Sequence, residues 1–370
     1  MHLRRFRFFL ALWGITFLAI LLVSRAYADG PRPAPAPQVE NQVCLACHSN
    51  RDATMKLPSG ETLSIYTDAA QYNASVHGKQ GQRCTTCHAN ITGYPHPATT
   101  ARDRRDFALQ MYTVCKQCHE KVYQQAIDSI HSKDIAAGNR NAAVCTDCHT
   151  AHYVTNPHNP RSRIPQTCRQ CHSTIFDQYK SSVHGAALLD QSNPDVPTCM
   201  DCHGVHQIGD PTTNAFRLKS PQMCASCHTD RAKMKKYNLS TNVLNTYVAD
   251  FHGTTVELFE KQSPDTPTNT AVCYDCHGVH DIRSAKDPQS SVIKENLLKT
   301  CQQCHPDATA DFPSSWMSHY DASPTKYPVV YYVNLFYTIF IPVVIGGMLA
   351  FVLLDVARRI LDRFQKAGSH

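Results

Sequence analysis

The sequence predicts a mostly α-helical and irregular chain with short helices, plus one C-terminal transmembrane helix. Three observations lead there. All 18 cysteines fall into nine CxxC pairs, and each pair is followed at once by histidine. Mean hydropathy is −0.36 despite two apolar ends, so the middle is too polar for the continuous apolar core that about 300 residues would normally bury. Finally, Val329 to Leu354 is a run of 26 residues without a charge.

From the N-terminus, MHLRRFRFF carries Arg4, Arg5 and Arg7, then an apolar run from Phe8 to Val23, then Ala26, Tyr27 and Ala28 in an A-x-A arrangement. Residues 1–28 read as a secretory signal peptide. The proline-rich DGPRPAPAPQ opens a stiff linker, 29–43.

The nine units are Cys44, Cys47 and His48; Cys84, Cys87 and His88; Cys115, Cys118 and His119; Cys145, Cys148 and His149; Cys168, Cys171 and His172; Cys199, Cys202 and His203; Cys224, Cys227 and His228; Cys273, Cys276 and His277; and Cys301, Cys304 and His305. CxxCH is the attachment site of c-type haem, whose vinyl groups take the two thiols while the adjoining histidine ligates iron. A disulfide scaffold or a set of zinc ribbons would also use paired cysteines, but neither requires histidine at one fixed position nine times. Nine covalent haems c then supply the core the polypeptide lacks, and the haem-free chain is expected to be largely unfolded.

Internal repetition identifies a second class of histidine. CKQCHEKVYQQAIDSIH (115–131) aligns without a gap on CRQCHSTIFDQYKSSVH (168–184), so His131 and His184 each follow a CxxCH histidine by twelve residues. A helix of that length spans about 18 Å, so one iron cannot take both. The element recurs as NASVHG at His77, ADFHG at His252 and WMSH at His319, with tyrosine five positions before His77, His184 and His252. Second motifs carry a further histidine close behind: His152, His206 and His280, and less regularly His96, for which His158 competes. In CYDCHGVH, three residues of chain are too few for His280 to reach the far face of the haem held by His277. His280 is therefore expected to ligate a neighbouring haem. Nine such distal histidines match nine irons, with Met111, Met223 and Met317 not recurring as alternatives. The nonahaem domain, 44–320, divides into two-haem modules at about 44–96, 115–152, 168–206 and 224–280, with a half module at 301–319.

Residues 329–354 are long enough to span a bilayer. Arg358, Arg359, Arg363 and Lys366 follow in a basic tail, 355–370, which the positive-inside rule places in the cytoplasm. Tyr320, Tyr327, Tyr331 and Tyr332 lie at the outer end, where an aromatic belt is expected. The haem domain would then face the periplasm from the inner membrane. Between signal peptide and tail the formal charge is zero, which gives no support to nucleic-acid binding.

Residues 44 to about 320, with doubled CxxCH modules and CHGVH second motifs, resemble the periplasmic multihaem c-type cytochromes of anaerobic respiratory and metal-reducing bacteria. The resemblance implies stacked bis-histidine haems that pass electrons between a membrane quinol-oxidising subunit, such as a cytochrome b, and a periplasmic or outer-membrane redox partner. It departs from the quinol-dehydrogenase cytochromes of nitrate and nitrite respiration, which are anchored at the N-terminus. The competing expectation is a reductase of nitrite, hydroxylamine or a sulfur oxyanion at one open haem. Multihaem nitrite reductases typically mark that haem with lysine, and no CxxCK occurs here.

Overall fold

The computed structural model describes residues 41–156, 158–315, 319, 323–325 and 327–367. The proposed signal peptide, and the proposed linker up to residue 40, lie outside them. Asn41 to Val43, drawn as the end of the linker, already form the first turn of the helix Asn41–His48.

The described residues are 56% helix and 2% strand, as the sequence predicts. The strands form one antiparallel hairpin, Thr54–Lys56 against Thr62–Ser64, in the register Thr54 to Ser64, Met55 to Leu63 and Lys56 to Thr62. The helices are short because caps recur every few residues. Asp68, Ser75, Asp103, Ser182, Thr213 and Asp230 each accept a backbone N–H at a helix start.

The twelve-residue spacing is not one helix. Lys116–Ile127 and Ser173–Ser181 both stop short of the distal histidine, and Ile130–Ala136 and Val183–Leu189 start afresh. His131 and His184 therefore sit in the first turn of a second helix rather than at the end of the first.

Two compact units are present. Among the described residues, one comprises 41–124 and 134–156, the other 125–133 and those from 158 onward. In the second, the helices Asn214–His228, Val243–Val248, Phe251–Gln262 and Cys273–His277 enclose a cluster of Leu218, Tyr247, Val256 and Val272. Fifteen apolar side chains are buried among the described residues. Set against roughly 1–2 kcal/mol of backbone entropy per ordered residue, that is a small core.

The helix Pro328–Ala367 closes the chain. Its stretch Pro328–Leu361 is long and apolar enough to cross a membrane, with mean hydropathy 2.5 and none of its apolar window buried. A core helix would be covered, whereas Phe351 here is 74% exposed. The helix starts one residue before the predicted span and continues into the basic tail as far as Ala367.

Candidate haem-ligating site

Both cysteines of a CxxC on a helical turn stand three residues apart and face the same way, as attachment to one porphyrin requires. None of the 18 cysteines is paired in a disulfide. Among the described residues no three His, Cys, Asp or Glu side chains converge on a metal-sized site, which a zinc ribbon would need.

Second motifs begin their own short helices, Cys145–His149, Cys199–His203 and Cys273–His277. The aspartate inside each motif folds back on the helix start: Asp147, Asp201 and Asp275 accept the backbone N–H of Val144 (2.7 Å), Thr198 (2.6 Å) and Val272 (2.7 Å). Each aspartate also pairs with an arginine, Arg105 at 2.8 Å, Arg161 at 2.9 Å and Arg217 at 2.6 Å. The guanidinium groups reach backbone carbonyls as well, Arg105 that of Ala142, Arg161 that of Pro194 and Arg217 that of Thr270. In the first module Thr86 takes the aspartate's place and accepts from Arg83 N–H.

The distal histidines ride on an equally regular element. Buried Ser75, Ser129 and Ser182 precede them, and their hydroxyls accept the N–H of Gly78, Ser132 and Gly185. The tyrosines five positions before His77, His184 and His252 donate to carbonyls two residues ahead of the module's second motif: Tyr72 to Gln82, Tyr179 to Pro197 and Tyr247 to Ala271, at 2.7, 2.7 and 2.8 Å. The glycine after each of these histidines is a steric necessity. A Cβ on Gly78, Gly185 or Gly253 would overlap the carbonyl oxygen of that same tyrosine.

Among the described residues, eight pairs of histidine rings result. Their centres are 6.1 Å apart for His48 and His96, 6.1 Å for His77 and His119, 6.1 Å for His88 and His152, and 6.2 Å for His131 and His172. The others are His184 with His228 at 6.2 Å, His203 with His280 at 6.0 Å, His252 with His305 at 6.3 Å and His277 with His319 at 6.2 Å. Two imidazoles on opposite faces of one iron, each nitrogen about 2.0 Å from the metal and about 1.1 Å from its ring centre, have centres about 6.2 Å apart. The residues therefore fit a bis-histidine iron at every pair. Each pair joins a CxxCH histidine to one of the distal set. His149, His206 and His158 stand outside these eight pairs and have contacts of their own. His96, not His158, is the histidine that faces His48.

Burial holds many of these rings neutral, the form that ligates metal. Burial, with His228 alongside, pushes His184 down to about 4. Burial is also the largest cause of the lowered values at His88, His152, His203, His206, His228, His277, His280 and His319. His48 Nδ1 lies 2.6 Å from the carbonyl of Ile65, just past the hairpin, which fixes its ring.

Thiols lie side by side within each module. Cys84 is pushed up to about 11 by burial and by its contact with Cys44. Cys145 and Cys168 are held down to about 7 by hydrogen bonds with Cys115 and Cys199, which are raised in turn. Cys224 and Cys273 behave the same way. Successive modules also meet, since Cys87 feels Cys115 and Cys118, Cys202 feels Cys224 and Cys227, and Cys276 feels Cys301 and Cys304.

CHGVH now has a local explanation. Gly204 and Gly278 have φ of +83° and +84°, left-handed values that L side chains rarely adopt. The chain turns away there, and His280 leaves His277 for His203. Two residues beyond this second histidine, the carbonyls of Val154, Ile208 and Ile282 accept the N–H of Val76, Ile130 and Val183, each the residue before a distal histidine.

Residues 137–175 match a family model, the doubled CXXCH motif. The match supports a multihaem c-type cytochrome. Its CXXCH motifs indicate covalently bound c-type haem, and electron transfer is the role such haems suggest. The matched segment joins the second motif of one module to the first motif of the next. No curated protein matches the chain.

The aspartate clasps, the arginines and the function of the tyrosines were missed by sequence reasoning. Their signal was present as a repeated Asp in CTDCH, CMDCH and CYDCH.

Proposed function

We propose that the protein is an inner-membrane, single-pass nonahaem cytochrome c. Its haem domain faces the periplasm and carries electrons between a quinol-oxidising membrane subunit and periplasmic or outer-membrane acceptors in anaerobic respiration. The observation that carries this reading is the set of eight histidine pairs at 6.0–6.3 Å. When bound, haem supplies reversible one-electron chemistry. In the pairs His88 with His152, His184 with His228, His203 with His280 and His277 with His319, burial lowers both rings' pKa values and so favours the neutral imidazoles that would hold a haem iron between them and keep its potential low.

The contacts between thiols support haems that follow one another in sequence order, motifs one to four in one unit and five to nine in the other. His149 and His206 complete the count of nine proximal and nine distal ligands. No histidine lies within the membrane span, so a partner must supply the quinol site.

Pyridine haemochrome and mass measurements on the purified protein should count nine haems, and oxidised EPR should be low-spin throughout. A strong high-spin signal in intact protein would overturn conduction in favour of catalysis at an open iron. Truncation before Val329 should keep all nine haems but abolish their reduction by quinol in membranes.

A further inference from the structure

The repeat ends differently from how it runs. In three modules the residue before the distal histidine gives its backbone N–H to the following module, Val76 to Val154, Ile130 to Ile208 and Val183 to Ile282. Val76 and Val183 are 38% and 40% exposed. The fourth module puts Phe251 at this position. Its N–H turns to the carboxylate of its own neighbour, Asp250, at 2.6 Å, and its side chain is 79% exposed.

Phe251 does not stand alone. Its ring centre is 6.4 Å from His252, His252 pairs with His305, and Phe312 lies 5.1 Å from His305 while remaining 41% exposed. Two exposed phenylalanines thus flank the ligand pair of the last CxxCH motif. Leu258, one heptad after Phe251 on the same helix face, is 50% exposed.

We propose that this edge, framed by Phe251 and Phe312, is the docking face for the membrane-embedded redox partner. The assignment rests on the electron-transfer reading above and names the surface it uses. Three features select this occupant. The face occupies the position that joins successive modules elsewhere in the chain. The membrane helix begins at Pro328, only 23 residues after His305, so a partner in the same bilayer is close at hand. Aspartates accompany the aromatic residues: Asp250 precedes Phe251, and Asp307 and Asp311 precede Phe312. An aromatic centre with an acidic rim suits a protein that presents basic residues and is repelled by anionic lipid.

The test uses the full-length holoprotein in its native membranes. Phe251→Ser with Phe312→Ser should leave haem content, low-spin spectra and reduction by dithionite unchanged, while slowing reduction by quinol about tenfold or more. Leucine at both positions should preserve most of the rate, and Ile127→Ser, at an exposed apolar residue elsewhere, should not change it. Quinol reduction of the serine variant within about twofold of wild type would overturn the proposal. If serine at these positions costs haem, Asp307→Lys provides the second reading: slower reduction at low salt, with loss of the salt dependence seen in wild type. An unchanged salt profile would count against a basic partner. Unaffected quinol reduction in the full-length serine variant, with weaker association of that variant's haem domain with anionic than with neutral lipid after reconstitution, would assign the face to lipid instead. Wild-type protein that quinol does not reduce in these membranes would defeat the electron-transfer reading itself, a result distinct from failure of the face.

Discussion

His280 stands three residues behind His277, yet its ring lies 6.0 Å from that of His203. The left-handed turn at Gly278 separates the two histidines, and a Cβ there would also crowd the Asp281 carboxylate. His280→Ala should therefore turn the haem on Cys199 and Cys202 high-spin while leaving the one on Cys273 and Cys276 six-coordinate. His277→Ala should do the reverse, and EPR with mass mapping of haem peptides separates the cases. If both substitutions altered the same haem, the pairing would be wrong. Gly185 is constrained for another reason, the carbonyl of Tyr179 against its Cα. Gly185→Ala should lower stability by about 2 kcal/mol or more, seen as a lower melting temperature. It should also loosen His184 from the haem on Cys224 and Cys227, seen as a growing high-spin fraction.

Among the elements, the helix Arg104–Met111 shows how a short segment positions a motif far from it in sequence. It delivers Arg105 to Asp147 and to the carbonyl of Ala142. Asp103 caps its start and also binds Arg140 at 2.8 Å. Arg140 first, then the Asp106 N–H, hold the Asp103 carboxyl well below the ordinary carboxylate value of 3.8. A carboxyl with a depressed folded-state pKa adds stability above its unfolded value, and that contribution is lost as pH falls towards the folded value. Wild type should thus be more stable than Asp103→Asn at neutral pH, and the difference should shrink as pH drops below about 4. Urea melts at stepped pH provide the measurement; a gap that widened on acidification would contradict the assignment.

For the whole molecule, the few buried apolar side chains cannot order a haem domain of this length. On the proposed ligation, stability comes from haem contacts and from iron bonds that would tie distant segments together, such as those carrying His252 and His305, whose ring centres lie 6.3 Å apart. Haem-free chain should accordingly lose most of its extramembrane helical signal. Circular dichroism and limited proteolysis of protein produced without haem attachment should show an unfolded haem domain above an intact C-terminal helix. A cooperative melt of the haem-free domain would refute this, since metal-coupled folding permits none.

Sequence alone determined the nine attachment motifs, because covalent chemistry demands Cys, Cys and His at fixed spacing. It also marked out a class of repeated second histidines, eight of which the folded chain sets opposite CxxCH histidines. The long apolar helix was equally legible, since 26 uncharged residues have few other uses. Which distal histidine faces which motif was not legible. That depends on where the chain turns at Gly204 and Gly278, on how Ser75, Ser129 and Ser182 restart helices, and on hydrogen bonds such as Val183 to Ile282, between residues far apart in sequence. The helix expected to carry His131 and His184 broke for that reason: a buried serine cap outcompetes continued helix. His96 fits the repeat less regularly than the other distal histidines, with His158 as its competitor, and the folded chain puts His96 opposite His48. Local covalent and steric rules are written residue by residue, whereas ligand pairing is a distance between remote segments, which only the assembled backbone fixes.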